Sequence, residues 1–347
     1  MSQQAIRRLV LLALIVVIAG VLTALNPVFL TTGNIMKLLQ EASQTGIVAV
    51  GFTLVMITAG IDMSIGAVIA VTSMVCINFL SYTSVPVPVF ILLSLGVGAL
   101  TGFVNGFFIT RYKLPEFIVT LATKGILSGV ALVIAVKDSM GFVQNVYIQN
   151  EAYLWFGGRT VGGLYRTTIA FVVLGVVTQL FLKNTRTGTR IYAAGANPNA
   201  ARLSGIRTDR YVLGVYVFSG VTASIAAIFI SSRMMTAMPE LGIGSEMDVI
   251  ASVVIGGTPF TGGSGDIWGT MIGAVFLALI KNGILKLGIS PWVQPIVIGG
   301  IIVVTVIIDV WQRRLTERLA TRAKLRKLNL PAAAAIVLPS DGNGTRG

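Results

Sequence analysis

Five ionisable residues stand where charge is expensive. Asp62, Glu246 and Asp248 interrupt or open long apolar runs, and Lys124 and Lys281 lie inside such runs. A charge in hydrocarbon costs about 3 kcal/mol or more, so an acid there is by default a solute contact or a relay. A local reading competes with that one. Asp62 lies in Gly60-Ile61-Asp62-Met63-Ser64-Ile65-Gly66, where it can cap a helix starting at the break, with Ser64 helping to satisfy free N–H groups. The two readings are compatible, because a broken helix in a transporter is often where the pathway lies. Glu246 and Asp248 admit the same pair of readings, and the lysines are expected to snorkel toward an interface.

Other chemistries are excluded by residue type. The chain has no histidine, so histidine metal ligands and histidine proton relays are ruled out. Its one cysteine, Cys76, rules out a disulfide framework and a cysteine-ligated metal site. No G-x-x-x-x-G-K-[ST] phosphate loop occurs, so the chain cannot supply its own ATP site of that type. Gly262-Gly263-Ser264-Gly265 is glycine-rich like a phosphate cradle but lacks the lysine, and it is read as a tight turn between helices. No catalytic constellation is visible, and this chain is expected to bind no cofactor or metal.

The elements that position the five charges are membrane helices. Apolar residues make up 54% of the 347, and charged residues only 11%. A net charge of +13 would point to nucleic acid in a soluble chain, but here the bases collect at segment ends and in the tail, which is a topology signal instead. Apolar runs at 9–25, 38–58, 62–80, 89–110, 115–136, 167–182, 211–230, 247–255, 267–287 and 292–310 give about ten crossings, the eighth unusually short. The first follows Arg7 and Arg8 but lacks a good cleavage site, so it is read as an uncleaved crossing. Both termini then lie in the cytoplasm.

The longest polar interval before the tail, 183–210, carries six bases against Asp209 alone and belongs inside. It contains a short helix marked at both ends: Asn197 suits the N-cap, Pro198 the first turn, and Gly205 a left-handed C′ with Ile206 folding back on Ala201. A helix of about seven residues is not stable alone, so something must hold it. Residues 312–330 read as a basic amphipathic helix on the inner membrane surface, and 331–347 as a disordered tail.

Numbering the crossings reveals a faint repeat. Five crossings per half would enter the membrane in opposite senses. Asp62 opens the third crossing and Asp248 the eighth, while Gly98, Gly102 and Gly106 line the fourth and Gly269 and Gly273 the ninth. Inverted repeats of this kind build many transporters.

Together these stretches resemble one family. Gly60 to Gly66 is similar to the G-I-D-L-S-V-G motif of ribose/xylose/arabinose-type sugar permeases of ATP-binding cassette (ABC) transporters, with Met63 in place of leucine. Tyr192-Ala193-Ala194-Gly195-Ala196-Asn197-Pro198 through Gly205-Ile206 matches that family's cytoplasmic loop, and Asp248 to Gly265 continues the match in order. The resemblance implies an all-α type II importer fold over residues 1–311. It implies a dimer of permease subunits, identical or related, a cytoplasmic ATPase that binds ATP and Mg, an extracytoplasmic sugar-binding protein, and a place in the bacterial inner membrane. The segment holding Gly195, Asn197, Pro198, Ala200, Ala201, Arg202, Leu203 and Gly205 would be the coupling helix that docks into the ATPase. Gly60, Asp62, Ser64, Gly66, Glu246 and Asp248 would mark the helix breaks along the pathway. Branched-chain amino-acid ABC permeases share the loop's R-x-x-G-I character but lack the Gly60 motif. An ion-coupled secondary transporter would explain the repeat but not the docking helix.

Overall fold

The computed structural model describes residues 3–82, 86–137, 139–141, 143–144, 146–308 and 311. The helix expected at 312–330 and the tail 331–347 lie outside them. Two compact units divide at Gly299 and Gly300, and the first contains all the features below except the end of the last apolar segment.

In chain order the helices are α1 (Gln3–Leu25), α2 (Thr32–Ile57), α3 (Ile65–Tyr82), α4 (Val87–Tyr112), α5 (Glu116–Val133), α6 (Glu151–Gly157), α7 (Arg166–Asn184), α8 (Arg186–Ala196), α9 (Pro198–Leu203), α10 (Thr208–Met234), α11 (Ser245–Ile255) and α12 (Ile267–Lys286). A further apolar segment spans Pro291–Ile308. Among the described residues seven helices are long and apolar enough to cross a membrane. With α2, α3 and the short α11 they account for the ten expected segments. The all-α class holds, apart from a two-residue antiparallel pairing, β1 (Val146–Tyr147) with β2 (Thr236–Ala237), in register Val146 to Ala237 and Tyr147 to Thr236.

Three polar connections are more ordered than the sequence led us to expect. The turn at 26–34 holds a 3-10 helix, Pro27–Leu30, capped by Asn26. The long loop at 137–166 contains α6, which drives Tyr153 into the core, where its hydroxyl lies 2.7 Å from Ser231. The 183–210 interval is mostly helix, with α8 preceding the expected α9.

The core is built on close backbone approaches. Gly98, Gly102 and Gly106 form one face of α4, and a Cβ at any of them would run into α10: Gly220 and Ser224, the Tyr216 backbone, and Leu213 respectively. Between apolar helices in lipid, such contact replaces the hydrophobic effect as the source of attraction. On α12, Gly269 and Gly273 approach Gly256 and Ser252 of α11 in the same way. Hydrogen bonds between side chains tie α2 to α12, with Thr53 and Thr270 2.7 Å apart and the Asn34 amide donating to Asn282 over 2.9 Å.

The pairing of helices has the form an inverted repeat requires. The second crossing of each half, α2 or α10, packs on the fourth crossing of the other half, α12 or α4, and α2 and α10 pack on each other. Likewise α3 lies against α10 and α11 against α2. The two glycine stripes are not equivalent within this pattern, since one serves α10 and the other α11.

Candidate functional site

The chain breaks its helix after Ile57. Ala59 takes a left-handed conformation, φ 63°, without being glycine, and Gly60 packs so closely that an added Cβ would lie 2.7 Å from the Tyr216 hydroxyl. Strain at a non-glycine residue with positive φ persists only where the surroundings hold it. Here Tyr216 donates to the Ile61 carbonyl over 3.2 Å.

Asp62 lies inside this break, 1% exposed. One carboxylate oxygen accepts from the Ser64 N–H at 3.0 Å and the Ser64 hydroxyl at 2.6 Å, and the other accepts from Ser219 of α10 at 2.9 Å. The chain of donors extends outward: Asn105 of α4 donates to the Ser64 hydroxyl oxygen at 2.9 Å, and Thr123 of α5 donates to Asn105 at 2.6 Å. Every arrow points toward the carboxylate, the arrangement that stabilises its charge. The third helix therefore begins not at Asp62 but at Ile65, and Asp62 serves the residue before it rather than one of the free N–H groups in its first turn.

The N-terminal end of α11 abuts that of α3. A Cβ on Gly66 would strike the Gly242 carbonyl and the Glu246 carboxylate. The expected capping roles of Glu246 and Asp248 are not what the structure shows, because Gly244 occupies the N-cap with φ 82° and both acids reach sideways. Glu246 pairs with Lys124 of α5 at 2.8 Å, and Asp248 with Lys281 of α12 at 2.7 Å. The lysines consequently do not snorkel to an interface. Burial makes the pairing obligatory, since an unmatched charge here would carry the full desolvation cost. Glu246 and Asp248 at the start of α11 thus face ammonium groups, whereas Asp62 is held by hydroxyl and N–H donors alone.

Beside these pairs is a cavity of about 210 Å³. Glu41, Gln44, Thr45 and Val48 of α2 line one side, and Asp248 and Lys281 the other. The four α2 residues fall at i, i+3, i+4 and i+7, a single helix face. This polar face was not singled out in the sequence, although its spacing was readable there.

At the other end of α2, the Ile57 carbonyl accepts from the Gly263 N–H at 2.8 Å. Gly195 of α8 lies against that same carbonyl with no room for a side chain. The 262–265 segment is the tight turn expected, with Gly262 and Gly263 both near φ 70°, and Asp266 caps α12 by accepting from Gly269 at 2.7 Å. Tyr192 of α8 donates to the Gly265 carbonyl at 2.8 Å. Burial, reinforced by nearby Asp266, pushes this phenol up to about 12, so it remains a donor at neutral pH. A side chain on α8 thus reads the position of the α11–α12 turn, and the α8 backbone reads the end of α2.

The short helix α9 has both expected caps. The Asn197 side chain accepts from the Ala200 N–H at 3.0 Å. At the other end the Ile206 N–H bonds to the Ala201 carbonyl and the Gly205 N–H to Arg202, with Gly205 at φ 80°. Within it, Ala201 is buried against its own chain, so its side chain is not available to line a partner's cleft. Arg202 turns to Asp209 at 3.4 Å and Thr208 at 3.0 Å, while Lys113 reaches the same Asp209 at 2.8 Å. The outward residue is Leu203, 91% exposed.

Helices that pair across two halves, broken where acids gather and lining a cavity of mixed polar and apolar walls, define a polytopic membrane transport protein. Residues 34–306 match the family described as branched-chain amino acid transport system / permease component, and the chain belongs to that family. It is 38% identical to the ribose import permease protein of Escherichia coli over 86% of this chain and 92% of that one. Identity to the ribose import permease protein of Bacillus subtilis is 35%, over 83% and 88%. Identity to the fructose import permease protein of Rhizobium meliloti is 31%, over 90% and 87%. No solved structure matches the chain.

Proposed function

We propose that this chain is the membrane-spanning subunit of an ABC importer that passes a monosaccharide of the ribose, allose or fructose class into a bacterial cell. The observation that carries this reading is the likeness to ribose and fructose import permeases over nearly the full length of both chains. The pairing of Lys124 with Glu246 and of Lys281 with Asp248 supports it, because these lysines are not left free as counter-ions for a carboxylate-bearing solute. In this reading a second permease subunit completes the pathway, an extracytoplasmic binding protein delivers the sugar, and a separate ATPase holds ATP and Mg. The termini and the 183–210 loop lie on the ATPase side, and α9 with Leu203 at its tip is the coupling helix.

The family's description names branched-chain amino acids, and that is the second reading. Proteoliposomes holding the chain with its ATPase and binding protein decide between them. ATP-dependent uptake of D-ribose, D-allose or D-fructose without uptake of L-leucine is expected. Uptake of leucine alone, or uptake driven by an ion gradient without ATP, would overturn the proposal.

A further inference from the structure

We infer that the cavity between α2, α11 and α12 is a solute-holding site, with Gln44 and Glu41 as its specificity-determining residues. The inference rests on the sugar-importer reading and adds to it a place and a chemistry.

Along its second half α2 is buried almost residue for residue, and the polar residues Glu41, Gln44 and Thr45 remain partly open on the cavity face. Polar side chains left open inside a helix bundle require partners, and a cavity of 210 Å³ far exceeds the 10–15 Å³ or so that one water needs. The walls mix chemistries in the way a sugar does. Glu41 and Asp248 accept hydrogen bonds, Lys281 donates, and Gln44, Thr45 and Ser245 do both. Ile69, Ile230, Val48 and Leu277 supply apolar surface for the C–H faces of a ring. Lys281 is committed to Asp248 at 2.7 Å, so a carboxylate on the solute would find no free cation among the lining residues, while Glu41 is left to accept from hydroxyl groups. The complementary class is a hydroxyl-rich molecule of monosaccharide size that carries no carboxylate.

A site built to bond hydroxyl groups discriminates by leaving its own groups unpaired when a hydroxyl is absent or misplaced. Gln44 can read one hydroxyl as donor and acceptor together, which makes it the residue most able to separate one sugar from another.

The test uses the complete transporter in proteoliposomes with labelled D-ribose, D-allose and D-fructose as probes. Gln44→Leu keeps the volume and removes the hydrogen bonds. The expected result is a fall of roughly tenfold in uptake of the favoured sugar, a changed ratio among the three, and ATPase stimulation by the binding protein that stays as in wild type. A purely structural role would lower all three sugars together. A second variant, Gln44→Cys, is probed with a thiol reagent, because the native Cys76 is fully buried. Protection of the introduced thiol by millimolar ribose is expected. Wild-type uptake of ribose combined with unaltered ratios in Gln44→Leu and no protection in Gln44→Cys would overturn the inference while leaving the importer reading intact. Absence of uptake of all three sugars by wild type would overturn that reading, and this inference with it.

Discussion

Lys124 of α5 holds its ammonium 2.8 Å from the carboxylate of Glu246 at the start of α11, where the acid is almost wholly buried. Removing one member of such a pair leaves the other desolvated and alone, at a cost of about 3–5 kcal/mol. The lysine is partly exposed, which places Lys124→Met at the lower end, near 3 kcal/mol. The double variant Lys124→Met with Glu246→Leu should regain most of that loss. Thermal unfolding of the purified protein in detergent measures both, and a single variant as stable as wild type would show that the pair does not join α5 to α11.

At the helix break, the shape of the acceptor should matter more than the charge. Asp62→Asn retains one oxygen for the Ser64 N–H, and the Ser219 hydroxyl can rotate to accept from the new amide. Folded yield should fall little and transport should be partly kept. Asp62→Leu leaves buried donors unsatisfied, at about 1–3 kcal/mol each, and should express poorly. Equal loss of transport in Asn and Leu variants that fold normally would instead assign the carboxylate charge to the pathway.

The exposed tip of α9 gives a direct test of docking. Leu203→Glu alters a side chain that is 91% exposed, so insertion and unfolding temperature should not change. Co-purification of the ATPase should drop, with ATP-driven uptake falling at least tenfold. Ala201→Glu should behave differently, lowering the stability of the loop itself because its side chain points inward. Wild-type association of the ATPase with the Leu203→Glu protein would remove α9 from the docking surface.

Tyr192 offers a measurement of pH dependence. Its folded value of about 12 lies above the ordinary tyrosine value of 10.0, so the neutral phenol is the form the fold prefers. The stabilisation it brings is complete below pH 10 and disappears as pH rises toward 12. Tyr192→Phe should lose about 1 kcal/mol from the contact with Gly265 at neutral pH. Between pH 10 and 12 the two proteins should converge, and unfolding curves that stay a constant distance apart would show that the phenol does not titrate in the fold.

Local chemistry was enough to determine a large part of this protein from its sequence. The length of most apolar runs marked them as membrane segments, because a bilayer demands a minimum span of continuous apolar helix, and the run at 247–255 was too short to be assigned on that ground. The caps of α9 were legible at Asn197, Pro198 and Gly205, since capping depends on residues within one turn of the helix end. The break at Gly60 was legible for the same reason. What only the tertiary structure decided concerns residues far apart in the chain. Lys124 and Lys281 looked like snorkelling side chains because their partners lie 122 and 33 residues away on α11. The helix α8 went unseen because its close packing rests on Ile57 and Gly263 from two other segments. The polar face of α2 was periodic in the sequence, but whether such a face meets protein, lipid or a cavity depends on helices that close around it from the other half of the chain. Ion pairing and cavity formation are properties of packing, and packing joins what the sequence keeps apart.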